Sequence, residues 1–193
     1  MRAWQDRGIA PALLGINLSA LHFKASADLD LEVAASLEKW AIAPDAIEIE
    51  MTESVFMDIT QQHNDRFERL RRLGVKIAID DFGTGYSSLS YLANYPINRI
   101  KIAQELVFGV VSDKRSATVV RAAVQMAHEL GMDVIAEGVE TEGQAKLLLA
   151  AGCETAQGFY FSEPVGAEQA AELLKKGKIK PARPLQLVAN TAA

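Results

Sequence analysis

The chain has 193 residues, 49% of them hydrophobic, which is enough for one domain with a substantial core and excludes disorder as its default state. A formal net charge of -5 excludes the basic footprint that tracks a nucleic-acid backbone, so extended DNA or RNA binding is not expected. No apolar run approaches the roughly 20 residues of a membrane helix and no secretory leader opens the chain, so direct membrane insertion is not expected and a cytoplasmic location is.

In chain order, Ala3 to Gly8 reads as the end of a helix, and an apolar run from Leu13 to Leu18 follows as a first strand. Val33, Leu37 and Trp40 recur at helical spacing, with Trp4 and Trp40 expected in the core. Ile47 to Met51 and Val75 to Ile79 alternate as strands do, and between them Phe67, Leu70 and Leu73 mark a helix that Gly74 stops. Further strands are expected at Arg99 to Ala103, Val134 to Ala136 and Phe159 to Phe161. A helix over Arg115 to Leu130 is closed by Gly131, and Thr141 to Gln144 reads as a capping box. Cys153, the only cysteine, rules out an internal disulfide and is expected as a small core residue. His22, His63 and His128 show no ligand spacing and read as surface or structural. The domain is expected over residues 1–177, with 178–193, basic and proline-containing, as a flexible tail.

Strands alternating with helices imply right-handed crossovers and a parallel sheet. Asn17, Glu50, Asp80, Lys101, Glu137 and Gln157 each fall at or near the C-terminal end of a candidate strand. A barrel brings such ends to one mouth, so the reading is an α/β, TIM-like barrel. A complete barrel takes about 250 residues, so about six of its eight strand-helix units are expected here, with the front of the domain absent.

The chemistry centres on Asp80 and Asp81, adjacent carboxylates delivered by an alternating strand into the loop Phe82-Gly83-Thr84-Gly85. Like charges held together at a strand end are costly without a counter-charge, and a divalent cation is the commonest remedy. Asn17, Glu50, Asp80, Asp81 and Glu137 all offer oxygen, which suits Mg2+ or Mn2+ rather than zinc or copper. Five such groups exceed what one magnesium takes from protein, so a pair of metals acting on a phosphoester is plausible. Lys101 would place positive charge toward the phosphate or the nucleophilic water, and Gln157 could orient either. Asp81-Phe82-Gly83 also spells a kinase triplet, but no glycine-rich phosphate loop or catalytic loop accompanies it.

Six segments in order, Ile16 to Ser19, Glu48 to Ser54, residues 80 to 89, Ile100 to Ile102, Ala136 to Thr141 and Gln157 to Pro164, resemble the EAL domain family. These are bacterial phosphodiesterases that open cyclic di-GMP to the linear dinucleotide. The resemblance implies a TIM-like barrel with two Mg2+ or Mn2+ ions. It makes Asn17, Glu50, Asp80, Asp81 and Glu137 metal ligands, Lys101 the lysine beside the water and phosphate, and Gln157 the glutamine near the reacting phosphate. Glu53 matches the glutamate that anchors the loop after the paired aspartates, a loop associated with metal binding and dimer contacts. Cyclic di-GMP, a second copy of the chain, and upstream sensory or signalling domains are the partners implied.

Two departures stand out. The family's Glu-Ala-Leu segment, whose glutamate binds metal, occurs nowhere in the chain, and the usual Lys-Ile-Asp reads Lys101-Ile102-Ala103. A non-catalytic cyclic di-GMP receptor and a regulatory protein-interaction domain therefore stand beside the hydrolase reading.

Overall fold

The computed structural model describes residues 1–26, 28–62, 64–84 and 89–177. Six parallel strands pair in sequence order: β1 (Leu14–Asn17), β2 (Ile47–Thr52), β3 (Lys76–Phe82), β4 (Arg99–Ile102), β5 (Asp133–Ala136) and β6 (Thr155–Ala156). The helices are α1 (Arg2–Gln5), α2 (Ala20–Ala25), α3 (Leu29–Trp40), α4 (Glu53–Gln62), α5 (Asn64–Arg72), α6 (Leu89–Asn94), α7 (Gln104–Gly109), α8 (Lys114–Glu129), α9 (Glu142–Ala150) and α10 (Ala167–Lys176). This is an α/β half-barrel, with β1 and β6 as the edges of the sheet.

Alternation along each strand sorts the side chains. On β2, Ile47, Ile49 and Met51 are buried on one face while Glu48 and Glu50 occupy the other. On β4, Ile100 and Ile102 share the first face, and Arg99 and Lys101 the second. The apolar face meets the helices. Phe56, Phe67 and Tyr95 close the core there in edge-to-face contacts, with ring centroids 5.5 to 6.0 Å apart.

The helix signals in the sequence operate as expected. Thr141 and Gln144 form a reciprocal capping box on α9, Asp113 accepts from the first-turn amides of α8, and Gly131 follows that helix with φ 73°. Cys153 is buried, and burial pushes its thiol pKa up. His22 and His128 are exposed, and His63 lies outside the described residues, as does the expected tail, 178–193. Among the described residues no helix is long and apolar enough to cross a membrane.

Two expectations are corrected. Phe159 to Phe161 form a turn, and the sixth strand is the two-residue Thr155–Ala156. Gly158 turns the chain out of the sheet with φ 149°, packed so closely on Val139 that a Cβ would lie 2.3 Å from its backbone. Trp40 is 51% exposed rather than in the core. It ends α3 over the edge strand, lining an apolar groove with Ile16, Val33 and Leu37, and Lys39 lies 5.2 Å from its ring centroid.

Candidate functional site at the strand C-termini

β2, β3 and β4 carry Glu50, Asp80 and Lys101 on the face away from the helices, and Glu137 and Gln157 directly follow β5 and β6. The strands bring these five groups together. Lys101 Nζ lies 2.6 Å from Glu50 Oε2, 2.9 Å from Asp80 Oδ1 and 2.7 Å from Glu137 Oε1. Gln157 Nε2 donates to Glu137 Oε1 at 2.6 Å. Lys101 is only 5% exposed, so each of these charge-assisted contacts is little screened by water.

Glu50 reaches Lys101 because Gly15 leaves room: a Cβ at position 15 would stand 1.9 Å from Glu50 Oε1. Asn17 ends β1 opposite Glu50 in the ladder and is exposed at the same mouth.

Asp80 and Asp81 are consecutive, and a regular strand would send them to opposite faces. The β3–β4 register shifts between Ile79 and Phe82, and Asp81 adopts a left-handed φ of 53°. Oxygens of Asp80, Asp81 and Glu137 consequently lie within 4.8 Å of one another. Asp81 N–H donates to Asp80 Oδ1 at 3.1 Å, and Thr84 Oγ1 donates to the Asp81 carbonyl at 2.9 Å.

The electrostatics follow from burial and crowding. Burial works against the Lys101 ammonium, but its bonds to Glu137, Glu50 and Asp80 prevail and hold its pKa above the ordinary lysine value. Burial raises the Glu137 carboxyl, opposed by Lys101 and reinforced by Asp80 and Asp81. Asp81 is raised by burial, then by Asp80 and Glu105.

Beside these groups opens a cavity of about 470 Å³, lined among others by Asp81, Glu105, Glu137, Gln157, Phe159 and Pro164. Glu105 and Phe159 were not singled out from sequence. Phe159 sits inside the Gln157 to Pro164 segment, where an aromatic following Gln-Gly was the available signal, and its ring is 45% exposed. Glu53 opens α4 at the same end of the sheet, but residues 85–88 of the loop it is expected to anchor lie outside the described residues. Ala103, where the sequence lacks an acid, is fully buried at the start of α7.

Clustered carboxylate oxygens with no nitrogen or sulfur donor fit a hard divalent cation. A parallel α/β sheet with such a cluster at its strand C-termini defines a barrel-type domain with an acidic site at the position where barrel domains carry their chemistry. The family model for the EAL domain matches residues 1–164, and the chain belongs to that family. It is 41% identical over 168 residues to signaling protein YkoW of Bacillus subtilis, covering 87% of this chain and 21% of that protein. The MucR phosphodiesterase in complex with c-di-GMP superposes with a TM-score of 0.79 at 39% identity, covering 88% of this chain and 68% of that one. Klebsiella pneumoniae BlrP1, in a complex with manganese and cyclic di-GMP, gives 0.78 at 33% identity, covering 84% and 42%. The chain spans 20% to 29% of the length of similar curated relatives.

Proposed function

We propose that this chain carries the site of a cyclic di-GMP phosphodiesterase, with Asn17, Glu50, Asp80, Asp81 and Glu137 holding a pair of Mg2+ or Mn2+ ions. The observation that carries the reading is the ring of Glu50, Asp80 and Glu137 around Lys101 at the strand C-termini, beside a cavity of about 470 Å³. Manganese and cyclic di-GMP together in the BlrP1 complex support both the ligand and the metal.

Bound there, divalent cations supply polarisation of phosphate oxygens and a water of lowered pKa. The residues of the chain supply the rest. Lys101, permanently charged, offers a fixed positive group to the phosphate or to the attacking oxygen. Glu137 holds the Gln157 amide, which fixes that side chain in the cavity wall for hydrogen bonding to substrate. Phe159 presents an apolar ring to the same cavity, a surface on which a base can lie.

A second reading, a receptor that binds the dinucleotide without cutting it, is favoured by Ala103, buried and apolar where the family pattern has an acid. Incubation with cyclic di-GMP and Mn2+, followed by chromatography for linear product, separates the two, with calorimetric binding measured with and without metal. Product formation that disappears in Asp80→Asn is the expected result. Binding without product would establish the receptor instead, and absence of binding would exclude both.

A further inference from the structure

Beneath the site lies a second charged layer that the proposed chemistry does not use. Arg99 Nη1 donates to Glu48 Oε1 at 2.9 Å, and Arg99 Nη2 reaches Asp133 Oδ2 at 3.4 Å. Glu48 is 2% exposed, so its charge has been removed from water and is matched chiefly by this guanidinium.

The pairing spans non-neighbouring strands. Glu48 is on β2 and Arg99 on β4, with β3 between them, and Ala78 of β3 stands opposite both Glu50 and Arg99 in the ladders. The small, fully buried Ala78 leaves the guanidinium room to cross β3. Asp133 then extends the tie to β5, so one side chain links three strands on the face opposite the helices.

The two layers match along the chain. Glu48 precedes Glu50 by two residues and Arg99 precedes Lys101 by two, even steps that share a strand face, while Asp133 opens the strand that Glu137 directly follows. The lower layer thus ties together β2, β4 and β5, the strands that carry Glu50 and Lys101 and lead into Glu137. Glu48 Oε2 and Arg99 Nε are buried without a hydrogen-bond partner among the described residues. Fold stability alone would be served as well by apolar side chains, because buried ion pairs often contribute no more than well-packed hydrophobic groups.

We infer that Arg99 is a positioning residue for the metal-binding carboxylates, acting through Glu48 and Asp133 to set the spacing of Glu50, Lys101 and Glu137. The inference rests on the metal reading above, and the experiment separates the two. Mn2+ affinity by calorimetry and the metal-free thermal midpoint are measured for the parent chain, for Arg99→Lys and for the double variant Glu48→Gln with Arg99→Met. Lysine keeps the charge beside Glu48 but lacks the planar fork that reaches Asp133 as well. Both variants are expected to keep the thermal midpoint within a few degrees while Mn2+ binds about ten-fold more weakly, the scale of supporting-residue losses at metal sites. Should the double variant fail to fold, Asp133→Asn, at a position 69% exposed, supplies the readout, with a smaller fall in the same direction.

Parent-like Mn2+ affinity in Arg99→Lys would overturn the inference and leave the proposed function intact. A fall in affinity that merely follows the fall in thermal midpoint across the variants would reduce Arg99 to a brace of the fold. A parent chain without saturable Mn2+ binding would overturn the proposed function and this inference with it.

Discussion

The carboxylate of Glu50 occupies the space that a side chain at Gly15 would fill, with Oε1 only 1.9 Å from the position of a Cβ there. Gly15→Ala therefore presses on the far end of a flexible side chain and leaves the backbone in place. Glu50 is expected to swing off Lys101, with Mn2+ affinity falling about ten-fold or more. Unfolding free energy in urea should change by no more than about 1 kcal/mol. A tight-binding Gly15→Ala chain would show that Glu50 does not need that space.

Lys101→Met removes the cation from among Glu50, Asp80 and Glu137 and leaves their carboxylates facing one another. Loss of one partner from a buried ion pair costs about 3–5 kcal/mol, so the metal-free variant should unfold at clearly lower urea. Mn2+ should then raise its thermal midpoint more than it raises that of the parent, and hydrolysis should be lost. Equal metal-induced shifts in the two chains would contradict this.

Asp81 is left-handed, with φ 53°, a conformation that asparagine shares with little strain and valine does not. Asp81→Asn is expected to unfold like the parent while binding Mn2+ more weakly. Asp81→Val should lose about 1–2 kcal/mol more in a urea titration, because a β-branched side chain resists that backbone. Matching stability in the two variants would count against the left-handed backbone as the device that turns Asp81 toward Asp80.

The pH dependence has a definite sign. Asp81 and Glu137 are raised from ordinary values of 3.8 and 4.5, so without metal the folded chain binds these protons more tightly than the unfolded chain does. Their contribution to stability is complete below the ordinary values and is lost as pH rises through the folded ones. A bound cation reverses this by favouring the ionised carboxylates. Mn2+ binding at the lower pH values where these raised carboxylates still hold protons should release them, seen as a calorimetric enthalpy that varies with the ionisation enthalpy of the buffer, and the variation should fade as pH rises beyond that range. A buffer-independent enthalpy at the lower pH would show that neither carboxylate takes part.

Most of the sheet was legible because Ile47, Ile49 and Met51, or Ile77 and Ile79, alternate with polar residues at strand period. β6 was not, because two residues carry no period and the apolar Phe159 to Phe161 nearby made the stronger pattern. Trp40 obeyed helical spacing, yet spacing does not report that α3 ends over an edge strand. At the site, the cost of adjacent like charges drew attention to Asp80 and Asp81, and the polar groups ending the other strands gave that pair its meaning. Glu48 and Arg99 stayed hidden for the opposite reason: alternating charge on a strand reads as a solvent face, and only the three-dimensional structure shows Glu48 buried there.

Because every strand pairs with its immediate successor in the chain, the sheet can grow by adding one unit after another, each addition closing only a modest loop. The contact between Lys101 and Glu50 joins residues 51 apart and passes over β3. It requires β2, β3 and β4 docked in register, which makes that contact a marker of their assembly. Chains in which one of these three strands is still undocked would have part of the core without the chemistry, and a probe of the Lys101–Glu50 contact would report that docking step.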